Sequence, residues 1–225
     1  MTLTIKQSVK NVDGFFASYF TSKISPLFVW FFAKLHIKPN FVTLLSFLIG
    51  LGAAYYAGIG RFIIAGILIQ AAFIFDCVDG QLARYLNLKS KIGAWLDTIT
   101  DRIKEFLILF AIAFFVATQD SYKYIFILFF IAFLVSALRH YDFDKRHELG
   151  IFENRSVEKS VPLSVAKRFK AIVKESLLFG ISERWALITI CLIFNQIEIM
   201  FYLLIIIGAL VTIFKSIYSW RKFNK

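Results

Sequence analysis

Four aspartates lie at short, regular intervals in a chain that is otherwise strongly apolar. Asp76 and Asp79 are three residues apart, and Asp97 and Asp101 are four residues apart. Residues at these spacings share one face of an α-helix, so each pair presents two carboxylates on one helix face. A carboxylate at bilayer depth costs about 2.5–3.5 kcal/mol on insertion scales, which favours a functional role for these side chains.

A divalent cation would balance the charge of these carboxylates. The two segments are joined by a short turn, and folding that hairpin at residue 88 places Asp79 opposite Asp97 and Asp76 opposite Asp101. Four facing carboxylates repel one another, and a set of oxygen ligands suits Mg²⁺, Mn²⁺ or Ca²⁺. The alternative is a structural ion-pair network with the nearby basic side chains of Arg84, Arg102 and Lys104.

The composition indicates that the helices carrying these aspartates belong to a membrane protein. Of the 225 residues, 59% are hydrophobic and only 18% are charged, and the mean hydropathy is +0.70. A soluble domain of this length would need a more polar surface. We attribute the net charge of +11 to loops rich in Lys and Arg on the cytoplasmic side. We therefore expect membrane lipids, and no nucleic acid, as partners.

We predict an all-α integral membrane fold with six transmembrane helices. A span needs about 20 mostly apolar residues. The six apolar segments cover approximately residues 41–59, 62–86, 90–118, 122–138, 184–194 and 199–218. They form a bundle over residues 39–219 in a chain that reads as a single domain, 1–225.

The distribution of Lys and Arg predicts the orientation of this bundle. The loops 58–61, 118–123 and 195–198 hold only Arg61 and Lys123, whereas the opposite loops and both termini are basic. The positive-inside rule then places both termini and the mouth of the carboxylate site in the cytoplasm. We also predict an amphipathic interfacial helix over residues 1–24 and a second interfacial segment over 162–179. A solvated basic face packed on the protein is the alternative for both segments.

The aspartates are part of a longer pattern that resembles the signature of the CDP-alcohol phosphatidyltransferases. The stretch DCVDGQLAR, starting at Asp76, is followed after eight residues by GAWLDTITD, which ends at Asp101. This matches D-x2-D-G-x2-A-R-x8-G-x3-D-x3-D without a departure. The resemblance implies a membrane enzyme of phospholipid biosynthesis that transfers a phosphatidyl-type group from a CDP-alcohol, such as CDP-diacylglycerol, to an alcohol and releases CMP.

The resemblance also assigns roles to individual positions. It implies that Asp76, Asp79 and Asp97 bind divalent metal, and that Asp101 is the general base and a shared ligand. The expected cofactor is Mg²⁺ or Mn²⁺, as two ions, and a homodimer is expected because relatives commonly form one. Candidate residues for binding the CDP-linked donor are Gly80, Arg84, Asn40, Thr43 and Ser90.

Two questions stay open at this point. Arg139 and Arg184, at the cytoplasmic ends of the fourth and fifth spans, are candidates for binding an alcohol or a phosphorylated alcohol, and the alternative is that they are interfacial side chains that snorkel to the headgroups. The second question is whether the protein is instead a divalent-cation transporter, which would also need carboxylates within the membrane. The apolar runs FIIAGILIQAAFIF and FLILFAIAFFVA close the external side and favour a one-sided catalytic cavity.

Overall fold

The described part of the chain is built from α-helices. The structure is a computed structural model that describes residues 5–9, 14–119, 124–148, 172–173 and 179–223, and within these ranges there is no β-strand. The helices are α1 (Ile5–Ser8), α2 (Ser22–Lys34, preceded by a π-helical turn at Ala17–Thr21), α3 (Pro39–Gly58), α4 (Phe62–Tyr85), α5 (Lys91–Thr118), α6 (Ile125–Glu148), α7 (Ile181–Ile193) and α8 (Ile197–Phe223). The predicted all-α fold is confirmed for these residues.

Four of the helices are long and apolar enough to cross a membrane. They are α3, α4, residues Ile125–Arg146 of α6 and residues Ile197–Arg221 of α8. Between 28% and 44% of the most apolar window of each helix is buried inside the protein, so much of each surface is left for lipid. On α4, for example, Ile63 and Ile67 are about three-fifths exposed. The protein is therefore an integral membrane protein.

The two remaining predicted spans correspond to α5 and α7, which are not among these four long, apolar helices. Helix α5 has 28 residues, but its first half carries several charged residues, among them Asp97 and Asp101 of the signature. Helix α7 has only 13 residues, which is shorter than the length that usually spans a bilayer.

Helix α3 lies at the centre of the site-bearing half of the protein. It packs against both α4 and α5, whereas within the described residues α4 and α5 make few close backbone contacts with each other. The Ser46 hydroxyl on α3 donates to the Ala72 carbonyl on α4 at 2.9 Å. Helix α7 packs on α4, and α8 packs on α6. The hairpin of α4 and α5 is therefore splayed, which leaves space between its two arms.

The turn between α4 and α5 explains how the two halves of the signature face each other. Asn87 has a left-handed backbone with φ 56°, and the Leu88 amide donates to the Ala83 carbonyl at 2.9 Å, a typical helix-ending arrangement. Ser90 then caps α5, because its side chain accepts from the Gly93 amide at 2.9 Å. Only five residues thus separate the two helices.

Helix α6 extends beyond the predicted end of the fourth span. The predicted end of the fourth span near Leu138 is wrong as a helix boundary, because α6 continues to Glu148. The apolar signal stops there, but the helix continues through charged residues with ion pairs between Arg146 and Asp142 (2.5 Å) and between Lys145 and Glu148 (2.8 Å).

Of the predicted interfacial segments, residues 1–4, 10–13, 162–171 and 174–178 lie outside the described residues.

Candidate active site

Three carboxylates meet across the gap between α4 and α5. One oxygen each of Asp76, Asp97 and Asp101 lies within 4.8 Å of the others. Asp76 projects from α4, and the other two project from successive turns of α5. Three hard oxygen ligands at this spacing fit a divalent cation such as Mg²⁺ or Mn²⁺. The predicted convergence of the two aspartate pairs is thus observed for three of the four side chains.

Lys104 binds two of these carboxylates. Its ammonium nitrogen lies 2.9 Å from Asp76 Oδ1 and 2.8 Å from Asp101 Oδ1, and it donates to Ser46 Oγ at 2.9 Å. The predicted opposition of Asp76 and Asp101 is therefore present, with Lys104 between them. Sequence reasoning named Lys104 only as part of an ion-pair alternative, although its position three residues after Asp101 places it on the same helix face.

Asp79 lies apart from the group of three. Its side chain is buried, with 5% exposure, and Oδ2 accepts a hydrogen bond from the Thr43 hydroxyl at 2.5 Å. Thr43 is on the second turn of α3, so this contact joins α3 to α4 beside the site. That Asp79 is a metal ligand stays a prediction, and Thr43 now has an observed partner within the signature.

The remaining candidates for binding the CDP-linked donor lie in two regions, one beside Gly80 on α4 and one where α3 and α5 begin. Arg84 folds back over its own helix, and its Nε donates to the Ser8 carbonyl at 2.6 Å. Among the described residues, a Cβ added at Gly80 would meet only Arg84 Nη1, at 3.4 Å, so the rest of that part of the structure leaves the surface beside Gly80 open. A Cβ added at Gly93 would lie 3.0 Å from both Asn40 Oδ1 and Ser90 Oγ, so these two polar side chains converge where α3 and α5 begin.

A second polar cluster begins one turn further along α5. Glu105 is 4% exposed and accepts from Arg184 at 2.6 Å, from Arg102 at 2.5 Å and from Ser136 at 2.7 Å. Ser136 also accepts from Arg184 at 2.5 Å, and the His140 ring lies 2.8 Å from Arg102. Arg102 is therefore part of this cluster, which joins α5, α6 and α7. No periodic signal in the sequence connects the members on α5 with those on α6 and α7, because these are separate helices.

Both acceptor candidates line the same cavity. Arg184 is 7% exposed and Arg139 is 9% exposed, so neither reaches outward as a snorkelling side chain does. Arg139 donates to the Phe179 carbonyl and lies over the Phe179 ring. Glu105, Ser136, Arg139 and Arg184 all line one cavity, whose other walls are apolar residues of α5, α6 and α8.

Comparison with known proteins connects this geometry to a family. Residues 36–156, more than half of the chain, match the family described as CDP-alcohol phosphatidyltransferase. Over 81 residues the chain is 42% identical to the archaetidylinositol phosphate synthase of Pyrococcus horikoshii, an alignment that covers 36% of this chain and 43% of that protein. The chain thus spans less than half the length of that relative.

Solved structures share the fold. The phosphatidylinositol phosphate synthase of Mycobacterium tuberculosis with CDP-DAG bound superposes with a TM-score of 0.66 at 15% identity, over 88% of this chain and 94% of that one. The same protein in complex with manganese and citrate gives a TM-score of 0.61 at 17% identity, over 87% of this chain and 88% of that one. From the family match, with the signature carboxylates meeting between α4 and α5, we conclude that the chain belongs to the CDP-alcohol phosphatidyltransferase family and is a membrane transferase of phospholipid biosynthesis.

Proposed function

We propose that the gap between α4 and α5 is the active site, and that it takes a CDP-linked lipid of the CDP-diacylglycerol type as donor. The observation that carries the proposal is the convergence of Asp76, Asp97 and Asp101 from the two arms of the signature hairpin. The Mycobacterium tuberculosis protein with the same fold has CDP-DAG bound, which supports this class of donor.

The carboxylates are proposed to hold the metal. Asp76, Asp79, Asp97 and Asp101 would bind Mg²⁺ or Mn²⁺, as two ions, and a protein of the same fold binds manganese. When bound, such ions neutralise the diphosphate and stabilise the leaving CMP. The hydrogen bond from Thr43 would hold Asp79 in a fixed direction toward the site.

Asp101 is proposed to be the general base. An acceptor hydroxyl loses its proton to the Asp101 carboxylate as its oxygen bonds to the phosphorus that carries the lipid. The bond from that phosphorus to the bridging oxygen breaks, and its electron pair leaves with CMP. Asp101 suits this role because it lies within the carboxylate group and is partly exposed, at 16%.

The donor is proposed to lie along the polar residues of α3, of α4 and of the turn between α4 and α5. The open surface beside Gly80 would admit the nucleotide closely, and Arg84 could pair with phosphate through two N–H groups. Polar contacts to the rest of the donor would come from Asn40, Thr43 and Ser90.

For the acceptor we propose a phosphorylated alcohol bound near Arg139 and Arg184. Around this cavity the three guanidinium groups of Arg102, Arg139 and Arg184 outnumber the carboxylates of Glu105 and Glu183, so the charge favours an anion. The relative in Pyrococcus horikoshii is named for making an inositol phosphate lipid, which agrees with an acceptor of this kind. A free alcohol is the second candidate.

We further propose that α5 and α7 also cross the membrane, giving six spans, with both termini and the site mouth on the cytoplasmic side. The excess of Lys and Arg in the loops on that side supports the orientation. The exposed aromatic side chains of Phe15, Tyr19 and Phe20 support an interfacial N-terminal segment. We propose one domain over residues 1–225, assembled as a homodimer.

CMP release tests the transferase and its base. Purified protein with CDP-diacylglycerol, Mg²⁺ and an acceptor is expected to release CMP, and Asp101→Asn is expected to lower turnover by about 10² or more because the proton acceptor is lost. The matched control is Asp144→Asn, an exposed position on α6 that should keep full turnover. Full turnover by Asp101→Asn would disprove its role as base. Absence of CMP release with every acceptor would disprove the proposed transfer.

The acceptor class is tested with a panel of alcohols in the same assay. The panel contains glycerol phosphate, inositol phosphate, inositol and serine. We expect turnover only with the phosphorylated members, because the arginine-rich cavity provides partners for a phosphate. Equal turnover with inositol and inositol phosphate would remove Arg139 and Arg184 as acceptor-binding residues.

A further inference from the structure

We propose that the ammonium group of Lys104 is a resident cation of the carboxylate site, and that it competes with divalent ions for Asp76 and Asp101. On this proposal the donor-free enzyme binds one divalent ion tightly and a second ion much more weakly. The inference rests on the proposed metal site, and it concerns a residue that lies outside the aspartate signature.

The contacts of Lys104 account for its whole hydrogen-bonding capacity. Its three N–H groups have three oxygen partners, Asp76 Oδ1, Asp101 Oδ1 and Ser46 Oγ, all at 2.8 to 2.9 Å. The side chain is 4% exposed. The cavity beside it is otherwise lined by apolar and aromatic side chains, Ile69, Ala72, Phe73, Ile108 and Trp185. Among the described residues that line that cavity, Asp76 is therefore the only charged one besides Lys104.

Helix α3 is shaped to receive this lysine. A Cβ added at Gly50 would lie 2.8 Å from both Cγ and Cδ of Lys104, so the stem occupies the space that a larger residue would fill. Ser46, one turn before Gly50, receives the ammonium group. The Ser46 hydroxyl donates its own proton to the Ala72 carbonyl at 2.9 Å, which leaves its oxygen free to accept from Lys104. The lysine is thus held at both its stem and its end.

These contacts limit the number of carboxylate oxygens with which Asp76 and Asp101 can bind metal ions. A carboxylate that bridges two ions with one oxygen on each needs both oxygens, and each of these aspartates already has Oδ1 on Lys104. A second divalent ion must displace the ammonium from these oxygens or remain beside a like charge at close range. Either way the second ion binds more weakly than the first, by an amount that depends on Lys104.

Mn²⁺ binding tests this without relying on turnover. Purified protein in detergent, without donor, is titrated with Mn²⁺ while the paramagnetic resonance signal of free Mn²⁺ is recorded. The wild-type protein is expected to show one tight and one weak ion per chain. In Lys104→Met, which replaces the four-carbon stem by an unbranched apolar side chain of similar length and removes the charged nitrogen, we expect the weak site to tighten by about tenfold or more. The matched control is Lys91→Met, an exposed position on the same helix, which should bind as the wild type does.

The outcomes separate this inference from the proposed function. Unchanged or weaker Mn²⁺ binding by Lys104→Met would overturn the role of Lys104 and leave the metal site intact. No Mn²⁺ binding by any of the proteins would overturn the metal site and this inference together. If Lys104→Met does not fold, Ser46→Ala serves in its place, because it loosens the ammonium and leaves all charges present. Ser46→Ala should tighten the weak site by less than tenfold, and no tightening would overturn the proposal.

Discussion

Single side chains from α3 orient the carboxylates of the site. Thr43 donates to Asp79, and Ser46 receives the lysine that joins Asp76 to Asp101. Because the Thr43 hydroxyl holds one oxygen of Asp79, the second oxygen of that carboxylate has a fixed direction, which strengthens metal binding. The supporting residues on α3 are therefore expected to matter for function although they lie outside the aspartate signature.

Thr43→Val should weaken the site without altering its shape. The change keeps the branched side chain but removes the hydroxyl that donates to Asp79. Loss of a partner that orients a metal-binding carboxylate typically costs about 10–100-fold in metal affinity or activity, and we expect a loss in this range. The measurements are Mn²⁺ affinity and CMP release. Thr43→Ser, which retains the hydroxyl, is the control and should stay close to the wild type, whereas normal values for Thr43→Val would contradict the role.

At the scale of single residues, the sequence predicts which carboxylates converge better than it predicts which side chains pair with them. The convergence of Asp76 and Asp101 follows from helical spacing and a short turn, which are both local properties of the chain. The partner of Arg184 does not follow in that way, because Glu105 is 79 residues away on another helix. Such a contact depends on how whole helices pack, for which a single sequence contains no periodic signal.

The helices that carry these residues are splayed apart at the proposed active site and pack closely elsewhere. Helices α4 and α5 both pack against α3 and leave a gap between them, whereas α6 and α8 pack closely against each other. The bounds of α3, α4 and α5 were predictable to within about two residues, because apolar runs, Pro39 and the turn at Asn87 mark them. The end of α6 was not, since hydropathy marks the membrane part of a helix and not its extension into water.

The close approach of α6 and α8 gives a prediction for these elements. A Cβ added at Gly208 would lie 2.7 Å from Val135 Cγ1, and a valine has little rotamer freedom to move aside. Gly208→Ala should therefore destabilise the fold by about 1–3 kcal/mol through overpacking. The measurement is the thermal unfolding midpoint in detergent.

Gly52→Ala is the matched control for this change. A Cβ there would meet Leu68 Cδ1 at 3.6 Å, an ordinary contact, and alanine favours the helix over glycine by roughly 0.5–1 kcal/mol. The midpoint of Gly52→Ala should stay equal or rise. Adding Val135→Ala to Gly208→Ala should restore the lost stability, and equal midpoints for the two single alanine variants would show that the α6–α8 contact is not tight.

For the molecule as a whole, the question that function depends on is which helices cross the bilayer. The proposed active site lies between α4 and α5, and the proposed acceptor cavity lies between α5, α6, α7 and α8. A water-soluble acceptor and CMP can share one site with a lipid donor only if these openings lie on one side of the membrane. The six-span arrangement meets this condition.

Labelling of introduced cysteines with an impermeant maleimide tests the arrangement. In a background with Cys77→Ala and Cys191→Ala, the three exposed positions are Lys89→Cys before α5, Gln119→Cys after α5 and Gln196→Cys after α7. If α5 crosses, Gln119→Cys reacts in intact cells and Lys89→Cys reacts only after permeabilisation. If α6 and α7 both cross, Gln196→Cys behaves as Gln119→Cys does. Labelling of Lys89→Cys and Gln119→Cys from the same side would contradict a spanning α5.

The ion pairs within α5 also bear on how the protein is made. The helix contains Asp101 paired with Lys104 at 2.8 Å and Glu105 paired with Arg102 at 2.5 Å, each pair three residues apart. Arg184, the other partner of Glu105, is synthesised 79 residues later, which at about 5–20 residues per second is a delay of several seconds. During that delay each of these two acids already has a basic partner one turn away. Helix α5 can therefore enter the bilayer as a segment that balances much of its own charge, before its neighbours emerge from the ribosome.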